Sequence, residues 1–369
     1  MTAPDSVSSP IFLASSAGPL CTRVRVPGKV ILSGEHAVVY GAPALACAIQ
    51  KYAFAEVTGS ELNGVRLKIP EFGIDQQFSN VQLTHIAQQT QLRHQYFLTN
   101  ACLLSQVVEK TEEFFAAAIG ASGLVDLLTN QHGPASGLTI ELTMDLVAGG
   151  GMGSSAAMVA AMLAAAFKHL GRPLTSAELI YTTTQSEHWQ HGRSSGLDPY
   201  VCVMGGLQQY QKGQKGKNGN GVRQIIKQPV QCFLVTTGKP LSSTGACVEA
   251  VKQQNFPLSL WDQFCVVQQN LRTAMCLNQY ASMLEAIQAN HQLLRHIGVV
   301  PEVVSEFITS IEAHDGAAKI CGAGSVAGDH GGLVFAMGVD QSYLEQLSLS
   351  YGYGVQKMLP DLEGVFYFD

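Results

Sequence analysis

The sequence predicts an α+β protein of two domains, and three observations carry that expectation. At 369 residues the chain exceeds what one small core organises. Its strand-like segments do not alternate one-for-one with helices, so antiparallel or mixed sheets are expected rather than a wound parallel one. A polar, glycine- and lysine-rich tract at 211–221 (QKGQKGKNGNG) separates the two halves, as a mobile loop or hairpin tip would. The expected units are 1–226 and 227–369.

The elements follow in chain order. Residues 1–20 lack the basic start of a secretory signal and read as a disordered lead-in or an extra edge segment. VRVPGKVILSG (24–34) and ALACAIQKYAFAEV (44–57) read as strands, and 99–118 as an amphipathic helix. GLTIELTMDL (137–146) alternates strictly: Leu138, Ile140, Leu142, Met144 and Leu146 share one face and polar residues the other. A glycine loop follows. Ser155–Leu170 then reads as a helix, apolar almost all round and therefore buried between layers, stopped by Gly171 and Pro173. A second helix starts at Thr175, whose spacing to Glu178 is that of a capping box, and runs to about Gln190 before Gly192. In the second half FLVTT is a strand, and 258–314 is a run of helices whose last member opens with Pro301 at N1. AAKIC, GLVFAM and FYF are short strands around a second glycine loop.

Composition narrows the function. The chain is 46% hydrophobic and 14% charged, which suits a large buried core, and its net charge of −6 comes without a block of like charges. That argues against a general nucleic-acid binder. The longest central apolar run, Ala156–Phe167, is twelve residues and too short to span a bilayer. Nine cysteines are scattered singly, without C-x-x-C or zinc spacing, which suits small core residues in a reducing compartment, by default the cytoplasm.

Three stretches can carry chemistry. GGGMGSSAA (149–157) lies between a strand and a helix, where unpaired backbone N–H groups and the helix dipole favour an anion. It lacks the lysine of the G-x-x-x-x-G-K-[ST] pattern, and as an isolated string it also fits a plain tight turn. VPGKVILSGEHAVVYGAPAL (26–45) brings Lys29, Glu35 and His36 together in an apolar, glycine-punctuated segment. They are either a functional cluster or three surface charges at a strand turn. SEHWQHGRSSGLDPY (186–200) sets Glu187 on a helix and Asp198 beyond a Gly/Ser loop, a division that lets one carboxylate hold a metal and the other take a proton. His188 and His191, an i, i+3 pair, are open to metal ligation or to capping a helix end.

Taken together, in this order and from end to end, these stretches resemble the motifs of the GHMP kinase superfamily, most of all its mevalonate kinase branch. PGKVILSGEHAVVYGAPAL resembles the first motif, GGGMGSSAA the second (G-x-G-L-G-S-S-A-A), and GAAKICGAGSVAGDHGGLVFAM the third; SGLD resembles the S-G-x-D of the mevalonate branch. The resemblance implies a ribosomal protein S5 domain 2-like N-terminal domain and a ferredoxin-like C-terminal domain. It implies ATP cradled by Gly149, Gly150, Gly151, Met152, Gly153, Ser154 and Ser155, with Mg²⁺ on Ser155 and Glu187. It also implies Asp198 as the base, Lys29 beside it, and Glu35, His36 and Thr244 near the acceptor, which is mevalonate or, in sister kinases, phosphomevalonate or a sugar. A catalytically inactive sensor on the same fold is the remote alternative. No nucleic-acid or membrane partner is implied, and a homodimer is left open. The chain departs from the family pattern at Val147, Ser194, Ser242 and Gly245, and in a longer third loop that splits its glycines with SVAGDH.

Overall fold

A computed structural model describes residues 21–130, 137–211 and 231–368. The expected lead-in, nearly all of the glycine- and lysine-rich tract and the expected boundary at 226 lie outside the described residues. The first half comprises β1 (Thr22–Ser33), β2 (Ala44–Ser60), β3 (Gly64–Ile69), β4 (Ile74–Phe78), α1 (Asn80–Leu98), α2 (Thr111–Ala121), α3 (Leu124–Asn130), β5 (Gly137–Met144), α4 (Ser154–His169), α5 (Ser176–His191), α6 (Leu197–Met204) and β6 (Leu207–Tyr210). The second comprises β7 (Cys232–Gly238), α7 (Thr244–Gln253), α8 (Leu258–Leu277), α9 (Tyr280–His296), α10 (Glu302–Glu312), β8 (Ala317–Cys321), β9 (Gly332–Met337), α11 (Gln341–Ser350), β10 (Gly354–Lys357) and β11 (Phe366–Tyr367).

The first sheet runs β11-β1-β2-β5-β3-β4, with β6 paired to the early part of β2. It is mixed, because β3 and β5 are parallel while the other pairs are antiparallel. Alternation explains β5: Leu138, Ile140 and Leu142 are buried, and the intervening Thr139 and Glu141 are less so. Helix α4 lies against β1 and β2 with α5 and α6 beyond it, and every residue from Ala156 to Phe167 is buried, as an all-round apolar helix requires. The capping box at Thr175 is present: its hydroxyl accepts from the Glu178 N–H, and the Glu178 carboxylate accepts from the Thr175 N–H.

The second sheet runs β10-β7-β9-β8 and is antiparallel throughout. In chain order this is strand 4 beside 1, 3 and 2, with α7–α10 between the first two strands and α11 between the last two. That is the β-α-β-β-α-β arrangement of a ferredoxin-like domain. The chain then returns, and β11 adds to the edge of the first sheet beside β1.

Two expected elements are corrected. Residues 99–118 are not one helix. α1 ends at Leu98, Asn100 takes a left-handed φ of 59°, and α2 begins only at Thr111, where Glu112 and Glu113 favour a helix start. Pro301 is the N-cap of α10 rather than N1, since its ψ of 147° is extended. Among the described residues no helix is long and apolar enough to cross a membrane.

Candidate active site

The cavity lies where the two sheets meet. Lys29 on β1 is its central cation. The side chain is 3% exposed, and its ammonium donates to Asp198 Oδ2 at 3.0 Å and to the Gly151 carbonyl at 3.2 Å. Its own N–H donates to Met152 O at 2.8 Å, so strand and glycine loop are tied at the same residue. Burial opposes the ammonium, but the Asp198 carboxylate outweighs it and raises the Lys29 pKa above its ordinary value.

The glycine loop ends in the N-terminus of α4. The N-cap is Gly153, with φ 70° and no side-chain cap, so the first-turn N–H groups are left for another acceptor. A Cβ at Gly153 would stand 3.0 Å from Lys29 Cε and 3.1 Å from Cγ; glycine is required by both the φ and the lysine. Gly149, Gly151, Gly153, Ser154 and Ser155 line the cavity. Gly150 and Met152 do not: Met152 is buried in the core and Gly150 closes a turn onto Val147 O at 3.1 Å.

Helix α5 brings Glu187 to the cavity wall. The residue is 1% exposed, Oε2 lies 3.4 Å from His191 Nε2, and Oε1 is buried without a partner. Burial disfavours the His191 imidazolium, yet Glu187 first and Asp198 behind it raise its pKa. His188 instead accepts from the Ser194 N–H at 2.9 Å, which fastens the loop before α6. No cluster of three or more His, Cys, Asp or Glu suited to a metal occurs among the described residues. Asp198 sits in the first turn of α6, behind Gly196, with its side chain 30% exposed.

Lys29, Glu35 and His36 are all buried, which removes the surface-charge reading. His36 takes φ 57°, its Nε2 is 3.1 Å from Ala323 O, and burial pushes its pKa down to about 4. Thr244 opens α7 and lines the same cavity, beside Arg193, Gly322 and Ala323. Two departures in sequence meet here: Ser242 N–H donates to Ser325 Oγ and Ser242 Oγ accepts from Val326 N–H, both at 3.3 Å, so Ser242 holds the lengthened third loop. Gly245 faces Leu104, where a Cβ would lie 2.6 Å from Cδ2.

Sequence reasoning missed two groups. Lys319 on β8 is fully buried and paired with Glu35, and Asn290 on α9 donates to the same carboxylate at 3.3 Å. Asn290 lies in no motif, and Lys319 lies in the stretch that resembles the third motif but was not singled out there. A charged residue inside the apolar string AAKIC was the one available signal. None of the nine cysteines forms a disulfide among the described residues, and Cys47, Cys202, Cys247 and Cys321 are buried.

Comparison with known proteins shows what this geometry is similar to. Residues 119–206 match the GHMP kinases N terminal domain. A mevalonate kinase of Thermococcus sibiricus is 27% identical over 332 residues, which cover 84% of this chain and 87% of the relative. The solved mevalonate kinase of Methanococcus jannaschii shares the fold with a TM-score of 0.73 at 17% identity, over 94% of this chain and 99% of that one. The L. major mevalonate kinase solved in complex with R-mevalonate does so with a TM-score of 0.64 at 21% identity, over 96% and 99%. By these comparisons the chain is a small-molecule kinase, similar to mevalonate kinases over most of its length.

Proposed function

We propose that the protein transfers the γ-phosphoryl group of MgATP to the C5 hydroxyl of mevalonate, giving 5-phosphomevalonate for isoprenoid synthesis. The observation that carries this reading is the Lys29–Asp198 pair, 3.0 Å apart at the mouth of an uncapped helix N-terminus. The relatives' names support the substrate.

The roles follow from the chemistry of phosphoryl transfer, which is mostly positioning and charge neutralisation. The free N–H groups of α4 and the loop from Gly149 to Ser155 take the phosphates. Asp198, with its exposed edge toward the cavity, accepts the hydroxyl proton as that oxygen bonds to the γ-phosphorus and ADP leaves. Lys29, 3.0 Å from Asp198 Oδ2, holds that carboxylate in place and offsets charge on the transferring group. Glu35, His36 and Thr244 border the acceptor. For Mg²⁺ the residues fit: Glu187 Oε1 is a buried carboxylate oxygen without a partner, and Ser155 lines the same cavity. Ser155 and Glu187 would hold the ion, which when bound neutralises phosphate charge. Cysteines outside any disulfide support a reducing, cytoplasmic setting.

The test is MgATP-dependent ADP release with mevalonate, phosphomevalonate and a panel of sugars. Turnover with mevalonate alone is expected. Turnover only with another acceptor would overturn the substrate and keep the kinase.

A further inference from the structure

Glu35 borders the cavity, but both its carboxylate oxygens are already taken. Oε1 pairs with Lys319 Nζ, and Oε2 accepts from Asn290 Nδ2 at 3.3 Å. The same Lys319 ammonium donates to Ile31 O at 3.1 Å, and Asn290 Oδ1 accepts from Ser33 Oγ at 2.8 Å. Lys319 comes from β8 and Asn290 from α9, whereas Ile31, Ser33 and Glu35 belong to β1 and the turn after it. The cluster therefore rivets the second sheet and its helix layer onto one short segment of the first half.

That segment ends in His36, whose left-handed φ of 57° a non-glycine residue keeps only where its surroundings enforce it. Two fastenings enforce it here. Glu35 is locked immediately before His36, and His36 Nε2 donates to Ala323 O at 3.1 Å immediately after. Lys319 and Ala323 are four residues apart, on β8 and the loop that leaves it, so one stretch of chain supplies both. With the lysine side chain 0% and the glutamate 1% exposed, and with both carboxylate oxygens already bonded by protein, the pair is not placed to take a substrate proton. Its directional bonds fix the register between the two halves, which an apolar contact of the same size would leave free to slide.

We propose that Lys319, through Glu35 and Asn290, is a positioning residue that sets the His36 turn, and with it the acceptor wall of the cavity, against Asp198. This deepens the kinase reading and rests on it. The reading gives the His36 side of the cavity to the acceptor and the α4 side to the nucleotide, so the two Michaelis constants separate the possibilities.

The experiment compares Lys319→Met, Glu35→Gln and the double variant Glu35→Leu/Lys319→Met with wild type. The singles are expected to raise the acceptor KM at least about tenfold and lower kcat, with the nucleotide KM changed less than about twofold. The double variant, which leaves no charge unpaired, is expected to regain most of the lost Tm while the acceptor KM stays high. Recovery of kinetics together with Tm would reduce the cluster to a stabilising role and overturn the proposal, as would an equal rise in the nucleotide KM. Asn290→Ala, which removes a contact but no charge, is read by the same criteria should Lys319→Met not fold. A second readout is independent of turnover. Tyr40, at the end of the 3-10 turn Ala37–Tyr40, stacks on Trp261 with ring centroids 4.1 Å apart. In a Trp189→Phe background Trp261 emission reports the turn directly, and it is expected to change in the double variant. Unchanged emission would overturn the positioning role even if mevalonate proved the wrong acceptor; changed emission with another acceptor would sink the substrate assignment alone.

Discussion

Two lysine–carboxylate pairs are anchored a few residues apart, at Lys29 on β1 and at Glu35 in the turn after it, and their difference is one of access. Lys29 and Lys319 are both buried, each donates to a backbone carbonyl on another element, and each meets one carboxylate. The Asp198 side chain is 30% exposed to the cavity, whereas Glu35 is 1% exposed and its second oxygen is taken by Asn290. A carboxylate with an open edge beside a buried cation can receive a proton from a bound hydroxyl. One with every oxygen occupied by protein can only hold position. Identical residue chemistry thus serves reaction in one place and registration in the other, and the partner's solvent access decides which.

The largest expected effect breaks the first pair. Asp198→Asn keeps the fold and nucleotide binding but is expected to lower kcat by about 10²–10⁴-fold, the usual worth of a placed base. Steady-state kinetics beside a nucleotide-binding isotherm check it, and near-normal turnover would remove Asp198 from the base role. The second pair is expected to answer in the opposite currency. Lys319→Met leaves a buried carboxylate without its cation, which typically costs about 3–5 kcal/mol. Denaturant melts on the two variants side by side should show the larger stability loss in the variant with the smaller loss of kcat.

Acid sharpens the contrast, because two buried imidazoles, His36 and His291, adjoin Glu35 and Asn290 in the chain. Burial pushes both His36 and His291 down to about 4, with Arg295 and Lys319 adding to the effect at His291. A histidine whose folded pKa is depressed stays neutral while the unfolded chain charges. Its share of stability is therefore full above the unfolded value near 6.5 and is lost as pH falls from there toward 4. The shift is worth up to about 3 kcal/mol per group. His291 has both ring nitrogens buried without partners, so His291→Leu should flatten the decline of Tm between pH 6.5 and 4 and cost little at pH 7.5. An unaltered acid limb would assign that decline to other groups.

The same contrast governs what could be read from the sequence. The reactive side is built from local signals: strict alternation through β5, three glycines, an apolar helix, and a carboxylate in the first turn of the next short helix. Each lies within a few tens of residues of the others, and their spacing states where the chain must turn. On the other side Glu35 and Lys319 each stand in a stretch that resembles a family motif, but nothing in either stretch states that they pair. Glu35 and Lys319 are 284 residues apart, and only the docking of β8 against β1 makes them partners. Helix α1 escaped for another reason: among its nineteen mostly polar residues only Leu83, Ala87 and Thr90 are buried, too sparse a stripe to announce a helix. Helix α6, eight residues with a proline at its third position, is hidden by length alone.

The smallest effect calibrates the rest. Thr175 caps α5 through its hydroxyl on the Glu178 N–H at 3.3 Å, while the Glu178 carboxylate returns to the Thr175 N–H at 2.8 Å. Thr175→Ala removes one half of that exchange and should cost about 1 kcal/mol. Glu187, which α5 delivers to the cavity, lies twelve residues further on, about 18 Å along the axis at 1.5 Å per residue. Fraying of the first turn does not travel that far, because Thr183, Ser186 and Glu187 are themselves buried. The variant should therefore lose a few degrees of Tm and keep both Michaelis constants and kcat. If it does, a raised acceptor KM in Lys319→Met cannot be charged to lost stability alone. If instead Thr175→Ala moves the acceptor KM as well, the cavity responds to any loosening of the fold, and the distinction between the two pairs becomes one of degree.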